Sequence, residues 1–173
     1  MNRRYWSDLK VGEELPQVKW TPITRVQIAK FASAVDDFSP LHIDEDYAKA
    51  EGFGGVFVHE VMSLALIVEM MRKFAPNMQI VQIVATFHKL VRPGDTLTSF
   101  GKVSKQERIH DEHRAEFELW VENVRSEIVA KVVAQTLMWE SEADEKKHAK
   151  ASPTPRSTHV SHELTKAFAA LKI

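Results

Sequence analysis

The stretch HEVMSLALIVEMMRKF, residues 59–74, decides the fold. Apolar side chains occupy nearly every side of a helix built from it, and the stretch ends just before Pro76, as the pre-proline restriction suggests. A helix that is apolar all round must be covered by the rest of the domain. Its apolar part, between Glu60 and Glu69, falls far short of the roughly 20 residues that cross a bilayer. We therefore predict a core helix.

Four strand-like runs follow this helix. They are rich in Val, Ile, Thr and Phe, and Pro93-Gly94-Asp95 supplies a turn between the first two. In the third run, apolar residues alternate with residues that are charged except at Trp120, as in a sheet with one face in water. The predicted strands are 79–91, 95–106, 113–122 and 127–139. A buried helix followed by an antiparallel meander joined by hairpins predicts an α+β domain whose sheet wraps around the helix.

The residues before the core helix predict a shorter helix and a polar loop. Thr24 stands three residues before Gln27 in a capping-box pattern, so we predict a helix over 24–35. The segment DDFSPLHIDED, residues 36–46, is rich in residues that favour turns, and it predicts a loop that carries polar chemistry. A short helical turn is expected over 46–50, before a glycine-rich break.

The composition is that of an ordinary globular protein. Apolar residues make up 44% and charged residues 27% of the 173 residues, which suits one domain with its own core. The 23 Lys and Arg residues are balanced by 24 Asp and Glu residues, so no basic field favours nucleic acid or an anionic membrane. The absence of cysteine excludes a thiol nucleophile, a disulfide framework and the usual structural zinc sites. The N-terminal residues lack the apolar segment of a secretory signal, so a cytoplasmic location is expected.

We place the domain boundary near residue 140. Residues 1–140 are predicted to form the domain, and residues 141–173 a charged tail that contains Pro, Ser and Thr. Within this segment, residues 141–160 are predicted to be a linker or a tail that does not bury enough surface to become ordered. The last stretch, HELTKAFAALKI at 162–173, has the pattern of a short amphipathic helix that would dock on the domain or on a partner.

The segment FASAVDDFSPLHIDEDYAKAEGF, residues 31–53, resembles the signature of the MaoC-like family of (R)-specific enoyl-CoA hydratases and 3-hydroxyacyl-thioester dehydratases. Four further segments are similar to corresponding parts of that family, in the same order. They are YWSDLKVGEELP, ITRVQIAKFA, VFVHEVMSLAL and KLVRPGDTL. The resemblance extends from residue 5 to about residue 140, and it implies the hot-dog fold.

The family motif reads Gly-Asp-x-Asn-Pro-hydrophobic-His, and it falls here on residues 36–42. The resemblance implies that Asp37 and His42 are the catalytic pair. Adding water to a conjugated thioester needs a base for the water and an acid for the developing carbanion, and a carboxylate and an imidazole can share that water. The resemblance also implies an oxyanion donor in the backbone N–H that follows His59, at the start of the core helix.

The residues expected to contact the substrate are Ser39, His59, Glu60 and Val61. Three positions depart from the family pattern, because Asp36 replaces Gly, Ser39 replaces Asn and Glu60 replaces Gly. Ser39 keeps a shorter polar side chain. The Glu60 carboxylate is expected to repel a developing enolate oxygen and to narrow the thioester tunnel. His59 is expected to be a hydrogen-bonding histidine at the helix start rather than an acid or base.

Neither a metal nor a diffusible cofactor is expected. His110 and His113 lie in the sequence HDEH, but two His and two acids in a hairpin loop usually mark a solvated turn. Trp120, on the charged side of its strand, suggests a contact between sheets or subunits. The resemblance implies a homodimer or higher oligomer whose substrate is an acyl-CoA or acyl-carrier-protein thioester. Nucleic acid and membrane are not expected as partners.

Three functions stay open at this point. The leading hypothesis is a hydro-lyase that adds water reversibly to a trans-2-enoyl thioester and forms the (R)-3-hydroxyacyl thioester. The second is a non-catalytic or partner-dependent subunit of a heteromeric dehydratase, which the three departures favour and the intact Asp37 and His42 oppose. The third is a hot-dog acyl-CoA thioesterase that uses a carboxylate-activated water. The spacing of Asp37 and His42, together with Pro40, argues against this third function.

Overall fold

The computed structural model describes residues 3–20 and 22–151. A short 3-10 turn, Trp6–Asp8, precedes the other elements. The helices are α1 (Arg25–Val35), α2 (Pro40–Ile43), α3 (Glu45–Ala50), α4 (Met62–Phe74) and α5 (Glu142–Ala151). The strands are β1 (Val18–Trp20), β2 (Gln79–Phe87), β3 (Leu97–Ile109), β4 (Glu112–Asn123) and β5 (Ile128–Met138). Within the described residues, no helix has the length and apolar character needed to cross a membrane.

The strands form one antiparallel sheet in the order β1-β3-β4-β5-β2. The four predicted strands are present, and β3, β4 and β5 are joined as successive hairpins. The prediction that hairpins join all four is wrong, because β2 pairs with β5 rather than with the next strand along the chain. A fifth strand, β1, which the sequence did not predict, covers the other edge of β3.

The predicted core helix is α4, which begins at Met62 rather than at His59. Its buried residues are Met62, Ser63, Ala65, Leu66, Ile67, Met70, Met71 and Phe74. The helix packs on β1, β3 and β4, and its apolar side chains share one core with those strands. Gly101 on β3 permits this close approach, because a Cβ there would collide with the Leu119 side chain and lie 3.1 Å from Met70 Cε.

The third predicted run, now β4, has the predicted alternation. Its inward side chains are buried, and they are Ala115, Phe117, Leu119 and Val121. Trp120 lies on the opposite face, where it stacks on Phe100 with ring centroids 5.6 Å apart and donates to Glu122 Oε1. These two contacts explain the position of the indole without a second chain. The predicted contact of Trp120 with another sheet or subunit stays a prediction.

The charged segment after β5 forms α5, where the sequence predicted a linker. Glu145 accepts a hydrogen bond from Arg3 Nη1 at 2.7 Å, and the His148 ring stacks on Trp139 with centroids 4.9 Å apart. The prediction of a linker is therefore wrong for this helix, because contacts with the N-terminal residues order a segment that composition alone would leave disordered. The rest of the predicted linker and the stretch 162–173 lie outside the described residues.

The polar segment before the core helix contains α2, where the sequence predicted only a loop. Pro40 occupies the first helical position, where its missing N–H costs nothing. Asp44 then caps α3, since its Oδ1 accepts from the N–H groups of Asp46 and Tyr47 at 3.0 Å each. α3 agrees with the predicted helical turn. The two short helices fold the predicted loop back toward the start of α4.

α1 has the predicted capping box at its start, with Thr24 N donating to Gln27 Oε1 at 2.7 Å and Gln27 N donating to Thr24 Oγ1 at 3.2 Å. It ends at Asp36, whose φ of 57° and ψ of 36° are left-handed. Glycine adopts this conformation without steric cost. The backbone therefore gives a physical reason for the glycine that the motif has where this chain has Asp36.

We expect Asp36→Gly to stabilise the protein and Asp36→Ala to destabilise it. A left-handed residue with a Cβ costs roughly 1–2 kcal/mol, which Gly avoids, although its greater freedom in the unfolded chain reduces the gain to below about 1 kcal/mol. Alanine keeps the Cβ, and it enters the left-handed region less readily than Asp does. Urea unfolding of the three proteins measures the differences. Equal stabilities of the Gly and Ala variants would contradict this account.

Candidate active site

Asp37, His42 and His59 come together at one place. Asp37 follows the left-handed end of α1, His42 lies on α2 and His59 precedes α4. Asp37 Oδ2 lies 4.0 Å from His42 Nε2 and 3.8 Å from His59 Nε2. The Asp37 side chain is 49% exposed, whereas those of His42 and His59 are 11% and 1% exposed. Two largely buried imidazoles therefore face a carboxylate that a substrate can reach.

The backbone fixes the orientation of His42. Its Nδ1 lies 2.8 Å from the carbonyl oxygen of Phe57. Because a carbonyl only accepts, Nδ1 carries the hydrogen, and Nε2 of the neutral ring is an unprotonated acceptor. The 4.0 Å between this Nε2 and Asp37 Oδ2 is too long for a direct hydrogen bond, but one water molecule can contact both atoms. The arrangement can therefore take a proton from a water held between the two groups.

His59 is a buried, neutral histidine. Its Nε2–H donates to the backbone carbonyl of Asp37 at 3.0 Å, and its ring stacks on His42 with centroids 3.7 Å apart. Burial lowers the pKa of His59 and outweighs the opposing effect of the Asp37 backbone hydrogen bond. Its Nδ1 is buried without a hydrogen-bond partner among the described residues. His59 thus occupies the hydrogen-bonding position expected for it before the core helix.

The same three residues lie close enough to be considered as metal ligands, since one ligand atom of each falls within 4.8 Å of the others. Two features oppose this use. The stacked rings of His42 and His59 are only 27° from parallel, so one ion cannot lie in the plane of both rings and near both nitrogens. In addition, His59 Nε2 carries the hydrogen that Asp37 accepts. The cluster suits acid–base chemistry better, and the absence of a metal stays a prediction.

Ser39 supports the carboxylate through its backbone. Its N–H donates to Asp37 Oδ1 at 3.2 Å, which leaves Oδ2 directed at the two imidazoles. The position was predicted to matter through its side chain, and the contact that the structure shows depends on the main chain instead. Phe57 is a further contributor that the sequence did not reveal, because its part is played by a carbonyl group that every residue possesses.

The start of α4 offers two backbone donors. The N–H groups of Glu60 and Val61 donate to no acceptor within residues 3–20 and 22–151, whereas Met62 N donates to His59 O at 2.9 Å. The N-terminus of α4 adds partial positive charge at this point. An oxygen that gains negative charge here would be stabilised. The side chains of Glu60 and Val61 are exposed, so a substrate can approach them.

The architecture belongs to a known class of protein. The chain is a member of the MaoC-like family, since the family model described as "MaoC like domain" matches residues 8–125. This is a family of dehydratases and hydratases, which supports a hydro-lyase at a coarse level. The resemblance predicted from the motif is therefore confirmed.

Two curated relatives match over a short stretch. The 3-hydroxyacyl-thioester dehydratase Z of Mycobacterium tuberculosis is 38% identical over 56 residues, which are 32% of this chain and 37% of the relative. Nodulation protein N of Rhizobium meliloti is 41% identical over 58 residues, which are 33% of this chain and 36% of the relative. The matched stretch spans little more than a third of either relative.

Solved structures match most of the chain. The R-hydratase PhaJ1 from Pseudomonas aeruginosa has a TM-score of 0.69 and 23% identity, over 79% of this chain and 86% of that one. The ChsH1-ChsH2 complex from Mycobacterium tuberculosis gives a TM-score of 0.64 and 23% identity, over 75% and 98%. At these identities the likeness concerns the fold alone, and it confirms the predicted hot-dog fold.

His59→Gln is expected to flatten the dependence of stability on pH. Burial lowers the pKa of His59 in the folded state from its ordinary value of 6.5, so the unfolded chain binds more protons below that value, and stability falls as the pH falls. Between about pH 7 and about pH 5 the wild type should lose more stability than the variant.

Denaturant unfolding at both pH values measures the two losses. His88→Gln is the matched control, because His88 is an exposed histidine that directly follows β2 and the substitution is the same. Equal losses in the wild type and His59→Gln would show that His59 is not held neutral by the fold.

Proposed function

We propose that the protein is an (R)-specific enoyl-thioester hydratase and 3-hydroxyacyl-thioester dehydratase. The observation that carries this proposal is the pairing of His42 Nε2 with Asp37 Oδ2 across 4.0 Å, with His42 Nδ1 held by Phe57. Membership of a family of dehydratases and hydratases supports it. So does the similarity to the 3-hydroxyacyl-thioester dehydratase Z of Mycobacterium tuberculosis.

In the hydration direction, a water between His42 and Asp37 attacks C3 of the trans-2-enoyl thioester. The imidazole takes a proton at Nε2 as the C3–O bond forms, and the carboxylate orients the water and stabilises the imidazolium. The electrons of the double bond move toward the thioester carbonyl. The imidazolium then returns a proton to C2 on the same face, so the elements of water are added without any redox change.

Negative charge develops on the thioester oxygen during this step. We assign its stabilisation to the N–H groups of Glu60 and Val61, which have no acceptor within the described residues, at the positive end of α4. Because these donors are fixed by the helix before the substrate arrives, they need little reorganisation as the charge forms. We further propose that the substrate is presented by CoA or an acyl carrier protein and that the protein works in the cytoplasm as a homodimer or higher oligomer.

Asp37→Asn and His42→Ala should each abolish most of the hydration of crotonyl-CoA. Loss of one positioned acid–base group typically costs about 10²–10⁴-fold in rate. The decrease in enoyl absorbance measures turnover with crotonyl-CoA and with a longer trans-2-enoyl-CoA. Asp111→Asn and His88→Ala are the matched controls, since both residues are exposed and distant in sequence from the cluster, and both variants should keep full activity.

Wild-type rates in the Asp37→Asn and His42→Ala variants would contradict the assignment of these two residues. Release of free thiol from an acyl-CoA by the wild type would instead favour the thioesterase. Absence of wild-type turnover on both substrates would favour the partner-dependent subunit.

The partner-dependent subunit is the second candidate, and Glu60 is the observation that favours it. Glu60 is one of the two residues whose N–H groups would face the developing oxyanion. Its negatively charged carboxylate would repel that oxyanion. The similar fold of the ChsH1-ChsH2 complex shows that this fold also occurs in an assembly of two named components. A heteromer would supply the missing activity from its other chain.

Glu60→Gln should raise kcat for hydration by a few-fold, because it removes the charge and keeps the size of the side chain. The gain should shrink at high salt, since screening weakens the repulsion in the wild type. Rates of crotonyl-CoA hydration at low and high ionic strength measure both effects. Glu118→Gln, at an exposed residue on β4, is the matched control. A lower rate in Glu60→Gln would mean that the carboxylate assists the reaction.

A further inference from the structure

The segment between α3 and α4 is held by the guanidinium of Arg92. Its Nη1 donates to the carbonyl oxygens of Gly55 and Val56, the latter at 3.0 Å, and its Nη2 donates to the carbonyl of Phe53. A guanidinium presents five N–H donors in a rigid planar fork. One side chain therefore fixes three carbonyls within four consecutive residues.

A carboxylate holds the same segment from another side. Glu45 Oε2 lies 3.5 Å from the N–H of Val56, and a Cβ on Gly55 would collide with this carboxylate. Arg25 binds Glu45 at 2.6 Å and, through that hydrogen bond, lowers the pKa of the Glu45 carboxyl group. The ionised Glu45 thus accepts from a backbone N–H of this segment, and the cationic Arg92 donates to its backbone carbonyls.

This stretch leads directly into the carbonyl that orients the catalytic imidazole. Arg92 binds the carbonyl of Val56, and the next carbonyl along the chain, that of Phe57, accepts from His42 Nδ1 at 2.8 Å. The Phe57 carbonyl shares its peptide unit with the N–H of Val58. This N–H donates at 2.8 Å to the carbonyl of the residue that precedes Arg92. Only the two backbone torsions of Phe57 separate the Val56 and Phe57 carbonyls, so a displacement of the backbone at Val56 would also move the Phe57 carbonyl.

We propose that Arg92 is a positioning residue that fixes the tautomer and orientation of His42 through the backbone of residues 53–57. With Arg92 in place, the Phe57 carbonyl keeps the hydrogen on His42 Nδ1 and leaves Nε2 free to accept a proton. Without it, the carbonyl moves and the ring also populates the tautomer with hydrogen on Nε2, which cannot act as a base. Only the activity readout of this inference rests on the proposed hydratase function.

The test compares Arg92→Gln and Arg92→Lys with the control Arg125→Gln. Arg125 is a suitable control because its side chain is 77% exposed. Arg92→Gln should lower kcat by up to about 100-fold, the loss that a misplacement of about 1 Å can cause, with KM nearly unchanged. Arg92→Lys should recover part of kcat, because an ammonium keeps the charge and binds some of the carbonyls but lacks the fork. Arg125→Gln should behave like the wild type.

Nitrogen-15 NMR of the imidazole rings supplies a readout that does not depend on turnover. The His42 signals, identified by their loss in His42→Ala, should report hydrogen on Nδ1 in the wild type and in Arg125→Gln. In Arg92→Gln they should report a mixture of tautomers. Thermal unfolding of each variant shows whether it remains folded at the temperature of the measurement.

A folded Arg92→Gln that keeps the wild-type tautomer and kcat would overturn the proposal. A tautomer change in Arg92→Gln, together with an inactive wild type, would support positioning by Arg92 and reject the hydratase function. If Arg92→Gln does not fold, Arg92→Lys decides the matter. A reduced kcat with a partial tautomer change supports the proposal, and wild-type behaviour in both measurements overturns it.

Discussion

The hydrogen bond between His42 Nδ1 and the Phe57 carbonyl is the constraint on which the candidate site depends. It selects the ring nitrogen that can accept a proton, and it ties α2 to the segment that enters α4. The His59 ring then stacks on His42 and donates to the backbone of Asp37. Two imidazoles thus join the end of α1, the helix α2 and the start of α4. The geometry of the candidate site is set by two main-chain acceptors, the carbonyls of Phe57 and Asp37, on segments that the core holds in place.

The site combines features that are locally unfavourable. Asp36 holds a left-handed backbone, and His59 is buried with one nitrogen that has no hydrogen-bond partner in the described part of the chain. Each of these costs free energy that the surrounding structure must offset. The buried contacts of α4 with β1, β3 and β4 provide that support. Local departures from sequence rules are expected where a functional site is built on a well-packed core, and here both lie within or beside the acid–base cluster.

Much of the fold could be predicted because its signals are local. Capping residues located α1, an all-round apolar run located α4, and the alternation of β4 assigned its buried face. The pairing of β2 with β5 escaped prediction because strand order depends on residues distant in the chain. α5 escaped because its order comes from contacts with Arg3 and Trp139 rather than from its composition. At the site, the motif indicated Asp37 and His42, but no pattern of side chains could indicate Phe57, which contributes only its carbonyl.

The strand order β1-β3-β4-β5-β2 also has a consequence for how the chain folds. The hairpins β3-β4 and β4-β5 join neighbours in sequence, so they can form with little loss of loop entropy. β2 precedes them in the chain but pairs with the last of them, so its docking must close a loop that contains both β3 and β4. Such non-local closures are slow relative to hairpin formation. We therefore expect the pairing of β2 with β5 to be a slower step in assembling the sheet than the formation of its two hairpins.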